Sequence, residues 1–154
     1  KVLFSRYPLI GKYMMSCDHS VKENKENRWC YSCPMCAKAF LYLKACNVDV
    51  SLINFNVDFF DKSYIGLFPL FGNVNRVYEK PKAVYDEQLF AFYLAFKNKC
   101  KGGLVDLFKE KFLDEAKERE DELYNKFFKV HGAVSISGKI KQEVESLFKE
   151  ELKC

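Results

Sequence analysis

The most regular hydrophobic pattern in this 154-residue sequence lies in its C-terminal half. Beyond residue 81, apolar residues recur every three or four positions, which is the spacing of one helix face. Neighbouring aromatic residues widen this face almost to the whole circumference, so we predict a buried helix that ends near residues 101–103. Its face is formed by Tyr85, Leu89, Phe92 and Phe96.

A narrower apolar stripe follows, and its opposite side is rich in charged residues. This pattern predicts one long amphipathic helix, with an inner face of Val105, Phe108, Phe112, Ala116, Arg119, Leu123 and Phe127. Gly132 and Gly138 then interrupt the pattern. A final amphipathic helix is predicted from Ile140, Val144, Leu147, Phe148 and Leu152.

The N-terminal half is less regular. Residues 1–13 mix aromatic, β-branched and basic residues with Pro8 and Gly11, and we predict a short extended segment followed by a loop. Residues 18–27 contain almost nothing apolar, so they predict an exposed loop. Pro34 suits the first position of a helix, and strong helix formers follow it as far as residue 45.

The segment after this helix predicts little regular structure. Residues 47–56 are expected to form a loop or a short extended stretch. Asp58 is the expected N-cap of a brief helix over residues 59–64. Helix-breaking residues then follow, namely Gly66, Pro69 and Gly72.

These elements predict a mostly α-helical, bundle-like fold with a short N-terminal extended segment. We divide the chain into a tail of an upstream domain (1–16), a cysteine-rich segment with its helix (17–46) and a helical body (57–154). Its length suits a single domain. Because an apolar stretch follows Lys1 directly, we expect a C-terminal fragment of a longer protein.

Charge and hydropathy exclude two classes of partner. The formal net charge is +4, but basic and acidic residues alternate, as in 117–121, which is typical of a solvated helix surface and not of a nucleic-acid groove. Every apolar run is interrupted before the roughly 18 to 20 residues that cross a bilayer. The abundance of aromatic residues is compatible with a homo-oligomer.

The cysteines carry the strongest chemical signal. The chain has seven, an odd number, without a visible secretion signal, which favours a reducing, cytoplasmic location. Cys30, Cys33 and Cys36 form a Cys-x-x-Cys-x-x-Cys run, and Cys17 precedes the polar loop. Four thiolates are the ligand set of a structural zinc ion, so we predict a zinc knuckle.

Other ligands and metals stay open at this point. An iron–sulfur cluster can also use four cysteines, although the downstream Cys-Pro of the ferredoxin pattern is missing. His19 could replace Cys17 as the fourth zinc ligand. Cys46 is expected in core packing, and nothing in the sequence assigns a role to Cys100 or Cys154.

The cysteine-rich segment resembles a known family. Ser16-Cys17, the polar loop and the run Arg28–Ala37 look like the segment after the nucleotide-binding domain of PP-loop ATP pyrophosphatase-like proteins. The resemblance is closest to the bacterial UDP-N-acetylmuramoyl-L-alanyl-L-glutamate epimerase type. It is strongest over residues 16–43. Farther along the chain, Phe71-Gly72 followed by Lys80-Pro81 is similar to the C-terminal region of the epimerase type. The deazaguanine synthases share the knuckle, which binds zinc in them.

The resemblance implies a zinc-binding region that shapes the substrate end of an ATP-dependent enzyme acting on a carboxylate, in cell-wall biosynthesis. ATP would bind an upstream nucleotide-binding domain, because this chain lacks the Ser-Gly-Gly-x-Asp-Ser loop. We predict no catalytic residue here, since neither His19 nor His131 has a suggestive neighbourhood. The alternative is a freestanding zinc-knuckle helical module that binds a partner protein.

Overall fold

The computed structural model describes residues 2–17, 28–72, 82–129 and 138–151. This part of the chain contains no β-strand, and the prediction of a mostly α-helical fold is confirmed. The α-helices are α1 (Val2–Arg6), α2 (Pro8–Gly11), α3 (Pro34–Ala45), α4 (Lys82–Lys97), α5 (Gly103–Lys111), α6 (Leu113–Glu118), α7 (Glu120–Phe128) and α8 (Gly138–Glu151). Short 3₁₀ helices are found at Val50–Ile53, Lys62–Leu67 and Pro69–Phe71.

Helix α3 begins where the sequence predicts. Pro34 occupies the first turn, where its missing N–H costs no hydrogen bond, and Cys33 is the N-cap. The helix packs against α4, which confirms the predicted buried helix. Helix α4 ends at Lys97, before the predicted end at residues 101–103. The side-chain amide of Asn98 donates to the last carbonyls of α3, so the end of α4 also caps its neighbour.

A chain of aromatic rings forms the core between these helices. The Phe40 ring of α3 lies 5.1 Å from that of Phe60, which lies 5.8 Å from Phe92 of α4. Phe92 in turn stacks on Phe108 of α5 at 5.8 Å. All four side chains are at most 2% exposed. Such pairs add stability beyond their burial, so this ladder holds three helices and the connecting segment together.

The single long helix predicted after residue 103 is wrong. The chain bends at Phe112 and Arg119 and forms α5, α6 and α7 in its place. These bends let all three short helices pack against α4. The Phe112 ring contacts Phe71 at 5.7 Å, and Arg119 reaches the buried Asp86 of α4. The apolar stripe alone would suit one straight helix. Packing against α4 divides it into three short helices.

The N-terminal extended segment is also wrong, because residues 2–11 form α1 and α2. The backbone N–H of Tyr7 donates to Leu3, and the Phe4 ring lies so close to Gly11 that a Cβ there would be 2.8 Å from it. This contact folds the two short helices onto each other. Glycine makes the close approach possible.

The predicted cap at Asp58 is displaced by three residues. Asp61 caps the 3₁₀ helix Lys62–Leu67 by accepting from the N–H of Ser63, whereas Asp58 accepts from the N–H of Phe60 in a local turn. Further upstream, residues 50–53 form a 3₁₀ helix capped by Asp49, in the segment predicted to be loop or extended.

Helix α8 forms as predicted, but its apolar face is not buried. Ile140, Leu147 and Phe148 are all more than half exposed. The helix is held beside α1 by an ion pair of 3.2 Å between Arg6 and Glu151. None of the described helices combines the length and apolar composition needed to cross a membrane.

Candidate metal centre

The N-terminus of α3 positions three of the four predicted ligands. The Cys33 sulfur accepts a hydrogen bond of 3.4 Å from the backbone N–H of Cys36, which closes the first turn of the helix. Tyr31 has a φ of 55°, in the left-handed region, and so reverses the chain between Cys30 and Cys33. Its hydroxyl donates to the carbonyl of Asn54 at 2.6 Å and anchors this reversal to the next segment.

Cys17 reaches the site from the other side of the polar segment. Arg28 donates to the carbonyls of Lys12 and Met14 at 2.5 and 3.2 Å. This contact joins the described chain before and after residues 18–27, a segment that the structure does not describe. Residues 12–14 are thereby held against the start of the knuckle, and Cys17 lies beside the other sulfurs.

The buried side chain of Trp29 anchors the chain next to the candidate ligand Cys30. Its side chain is 1% exposed, its Nε1–H donates to the carbonyl of Ile53 at 2.8 Å, and its ring stacks on Phe55 at 4.5 Å. Because Trp29 directly precedes Cys30, these contacts fix the backbone that carries the first ligand of the run. The sequence reasoning missed both Arg28 and Trp29. The signal was the single tryptophan of the chain standing next to a cysteine.

The four sulfurs form one compact cluster. Sγ of Cys33 lies 3.9 Å from that of Cys17 and 3.5 Å from that of Cys36, and the latter lies 3.7 Å from that of Cys30. All four atoms lie within 4.8 Å of one another. These separations far exceed a disulfide bond of about 2.05 Å, so no disulfide bond joins these four cysteines to one another. The cluster could hold a metal ion.

Burial and hydrogen bonding act differently on the pKa values of the Cys30, Cys33 and Cys36 thiols. Burial raises the pKa of Cys33 and of Cys36. Partial burial acts in the same direction on Cys30, but hydrogen bonds from the side chain and backbone of Ser32 lower its pKa to about 6. Several thiolates side by side would repel one another, whereas a bound cation favours the deprotonated form of each. The arrangement therefore suits a cation.

The structure separates Cys46 and Cys100 from this cluster. Cys46 is the C-cap of α3, at the opposite end from the ligands, and Cys100 follows α4. His19, His131 and Cys154 lie outside the described residues. The proposal that His19 replaces Cys17 therefore stays a prediction.

A shell of four cysteine ligands leaves no open position on a tetrahedral ion. Such a site stabilises structure and does not activate water or substrate. Comparison of the chain with family models, with curated proteins and with solved structures found no match. The resemblance of residues 16–43 to the PP-loop proteins accordingly stays a prediction.

Proposed function

We propose that Cys17, Cys30, Cys33 and Cys36 bind one zinc ion and that this ion has a structural role. Four sulfurs bound to one tetrahedral zinc at about 2.3 Å stand about 3.8 Å apart. The separations of 3.5, 3.7 and 3.9 Å agree with this value and carry the proposal.

A four-iron cluster fits these distances less well. It binds each cysteine through a different iron atom, so the sulfurs stand farther apart than around a single ion. A single iron ion accepts the same tetrahedral sulfur shell as zinc. Metal analysis therefore has to measure zinc, iron and sulfide in the same preparation.

The ion would join two parts of the chain that are distant in sequence. Cys17 ends the segment of α1 and α2, and Cys36 is buried in the first turn of α3. Binding free energy at such a site becomes folding free energy, since the unfolded chain holds no preformed site. Loss of zinc is expected to release α1 and α2 from α3 and to lower the stability of the whole domain.

The test is elemental analysis of untagged, freshly reduced protein. We expect about one zinc per chain, loss of zinc in Cys36→Ser, and full retention in the matched control Cys46→Ser, which alters the other end of the same helix. A chelator should lower the melting temperature of the wild type and of the control. Absence of metal, or equal zinc in both variants, contradicts the proposal. Iron with sulfide would assign the site to an iron–sulfur cluster.

For the protein as a whole we propose the C-terminal, zinc-stabilised region of a PP-loop ATP-using enzyme that acts on a carboxylate. The support is the resemblance of residues 16–43, which includes Ser16-Cys17 and the cysteine run. A peptidoglycan-precursor epimerase is the activity that this resemblance favours. In this proposal ATP binds an upstream domain, and the helices described here shape the substrate end.

The alternative is a freestanding zinc-knuckle module that binds a partner protein. The exposed apolar face of α8, which includes Leu147 and Phe148, favours it. Reading the parent gene upstream of Lys1 separates the two proposals. A strand followed by Ser-Gly-Gly-x-Asp supports the enzyme, and its absence leaves the interaction module.

A further inference from the structure

The four cysteines of the candidate metal centre are not equally accessible to solvent. Cys17, Cys33 and Cys36 are 3%, 7% and 0% exposed, whereas Cys30 is half-buried. The sulfur of Cys30 accepts a hydrogen bond of 3.5 Å from the hydroxyl of Ser32, and this contact lies at the protein surface. A molecule in solution therefore reaches the sulfur of Cys30 more readily than the other three.

Cys30 also has neighbours with which it can form a disulfide bond. Its Sγ lies 3.7 Å from Sγ of Cys36, and all four sulfurs lie within 4.8 Å of one another. A movement of about 2 Å would bring two of them to the length of a disulfide bond. Cysteines that react with oxidants combine an accessible sulfur, thiolate character and often a second cysteine close by. Cys30 has the first and the third of these features.

Metal binding supplies the thiolate character. A cysteine that ligates a metal ion is deprotonated, because the positive ion favours the charged form of the sulfur. All four cysteines of the cluster share this effect, whereas Cys46 and Cys100 lie outside the cluster. Among the four ligands, Cys30 alone joins thiolate character to access from solvent.

We propose that Cys30 is the site at which a hydroperoxide oxidises the metal centre and causes the chain to release its ion. The inference rests on the zinc site proposed above and concerns the regulation of that site. The Cys30 thiolate attacks the terminal oxygen of the hydroperoxide, so that an S–O bond forms and the O–O bond breaks. The sulfur becomes a sulfenic acid, oxidised by two electrons, and the departing alkoxide takes up a proton and leaves as the alcohol.

A second ligand then completes the reaction. The sulfur of Cys36, at 3.7 Å, attacks the oxidised sulfur of Cys30, so that an S–S bond forms and the S–O bond breaks. The hydroxide that leaves takes up a proton and becomes water. Only Cys17 and Cys33 then remain as ligands, which is too few for a closed tetrahedral shell, and the chain releases the ion. A thiol reductant restores both thiolates by disulfide exchange.

The effect of oxidation extends beyond the four cysteines. Cys17 is the ligand that ends the segment of α1 and α2, so loss of the ion removes a link between this segment and α3. Phe4 and Met14 of that segment line a cavity of about 280 Å³ together with Leu43 of α3. Oxidation is therefore expected to loosen this packing and to lower the melting temperature, as removal of the metal does.

The experiment starts from the reduced full chain, whose zinc content is first measured by elemental analysis. Addition of tert-butyl hydroperoxide should release zinc, followed with a colorimetric chelator, and the first disulfide found by peptide mapping should contain Cys30. Cys30→His keeps a ligand set of three cysteines and one histidine, so it should retain zinc and release it roughly tenfold more slowly. Cys33→His makes the same change at a buried ligand and is the matched control, which should release zinc at the wild-type rate.

The outcomes distinguish this inference from the zinc site itself. Zinc that is present in the reduced protein but is not released by the hydroperoxide overturns the inference and leaves the structural zinc site in place. Equal release rates in the two histidine variants, or a first disulfide without Cys30, do the same. Reduced protein without zinc overturns the zinc site and the inference with it. If Cys30→His binds no zinc, the first disulfide mapped in the wild type decides.

Discussion

Asp86 offers the sharpest test of how α4 is held by the helices that follow it. Its carboxylate is 0% exposed and pairs with Arg119 at 2.8 Å and with Lys126 at 2.7 Å. Asp86→Asn keeps the shape of the side chain and removes the charge. The change therefore isolates the electrostatic contribution of this buried group.

The expected loss of stability in Asp86→Asn depends on how exposed the two partners, Arg119 and Lys126, are. Breaking a fully buried ion pair costs about 3 to 5 kcal/mol, but the side chains of Arg119 and Lys126 are 21% and 38% exposed and can regain water. Arg119 also keeps its pairs with Glu115 and Glu122. We expect a loss of about 2 to 3 kcal/mol, which corresponds to a fall of roughly 4 to 12 °C in melting temperature for a domain of this size.

The pH dependence provides an independent check. Burial acts to raise the pKa of Asp86, but hydrogen bonds from Lys126 and Arg119 outweigh it and lower the pKa below its ordinary value. The carboxylate therefore stabilises the fold above about pH 4, the pKa of an unfolded aspartate, and this contribution is lost as the pH falls through the lower folded pKa. The difference between wild type and Asp86→Asn should shrink on acidification.

Urea denaturation from pH 7 to pH 3, followed by circular dichroism, measures both effects. Asp114→Asn is the matched control, because its side chain is 98% exposed and its contact with Lys117 is a long 3.9 Å. No measurable change is expected there. A loss at Asp86 no greater than at Asp114, or a difference that grows in acid, would refute this account of the ion pairs.

Two further substitutions, with Gly138→Ala as a control, test the packing around Phe60 and beside the candidate metal centre. Gly102→Ala should lower the free energy of unfolding by about 2 to 4 kcal/mol, because its Cβ would lie 2.5 Å from Cβ of Phe60 and its φ is 144°. Gly138→Ala, with positive φ but open space, should cost only about 1 kcal/mol in the same urea titration, and equal losses would contradict the clash. Trp29→Phe leaves the Ile53 carbonyl without its donor and should cost about 1 to 3 kcal/mol by circular dichroism, while a neutral result would show that this hydrogen bond contributes little.

Regular local patterns predicted α3, α4 and α8. The spacing of apolar residues identified α4, and Pro34 with the helix formers after it identified α3. In both cases the signal lies within one segment, where propensity and periodicity act. The same reasoning found α8, although most of its apolar face stays exposed, because a stripe shows which side of a helix is apolar and not whether anything packs on it.

Where contacts with residues distant in sequence determine the course of the backbone, the hydrophobic patterns were misleading. The stripe from Val105 to Phe127 suits one straight helix, but contacts to α4 bend the chain at Phe112 and Arg119. The composition of residues 1–13 likewise suggested an extended segment and a loop. The chain forms α1 and α2 there, and the ring of Phe4 in α1 packs onto Gly11 in α2.

The sequence by itself determined the convergence of three of the four sulfurs of the candidate metal site. Three cysteines at spacings of three, at the start of a helix, converge through local geometry alone. The tertiary structure brings Cys17 to the other three sulfurs, in a fold in which Arg28 holds residues 12–14 against the knuckle. Spacing along the chain fixes the relative positions of residues that are close in sequence, whereas only folding brings together residues that are distant in sequence.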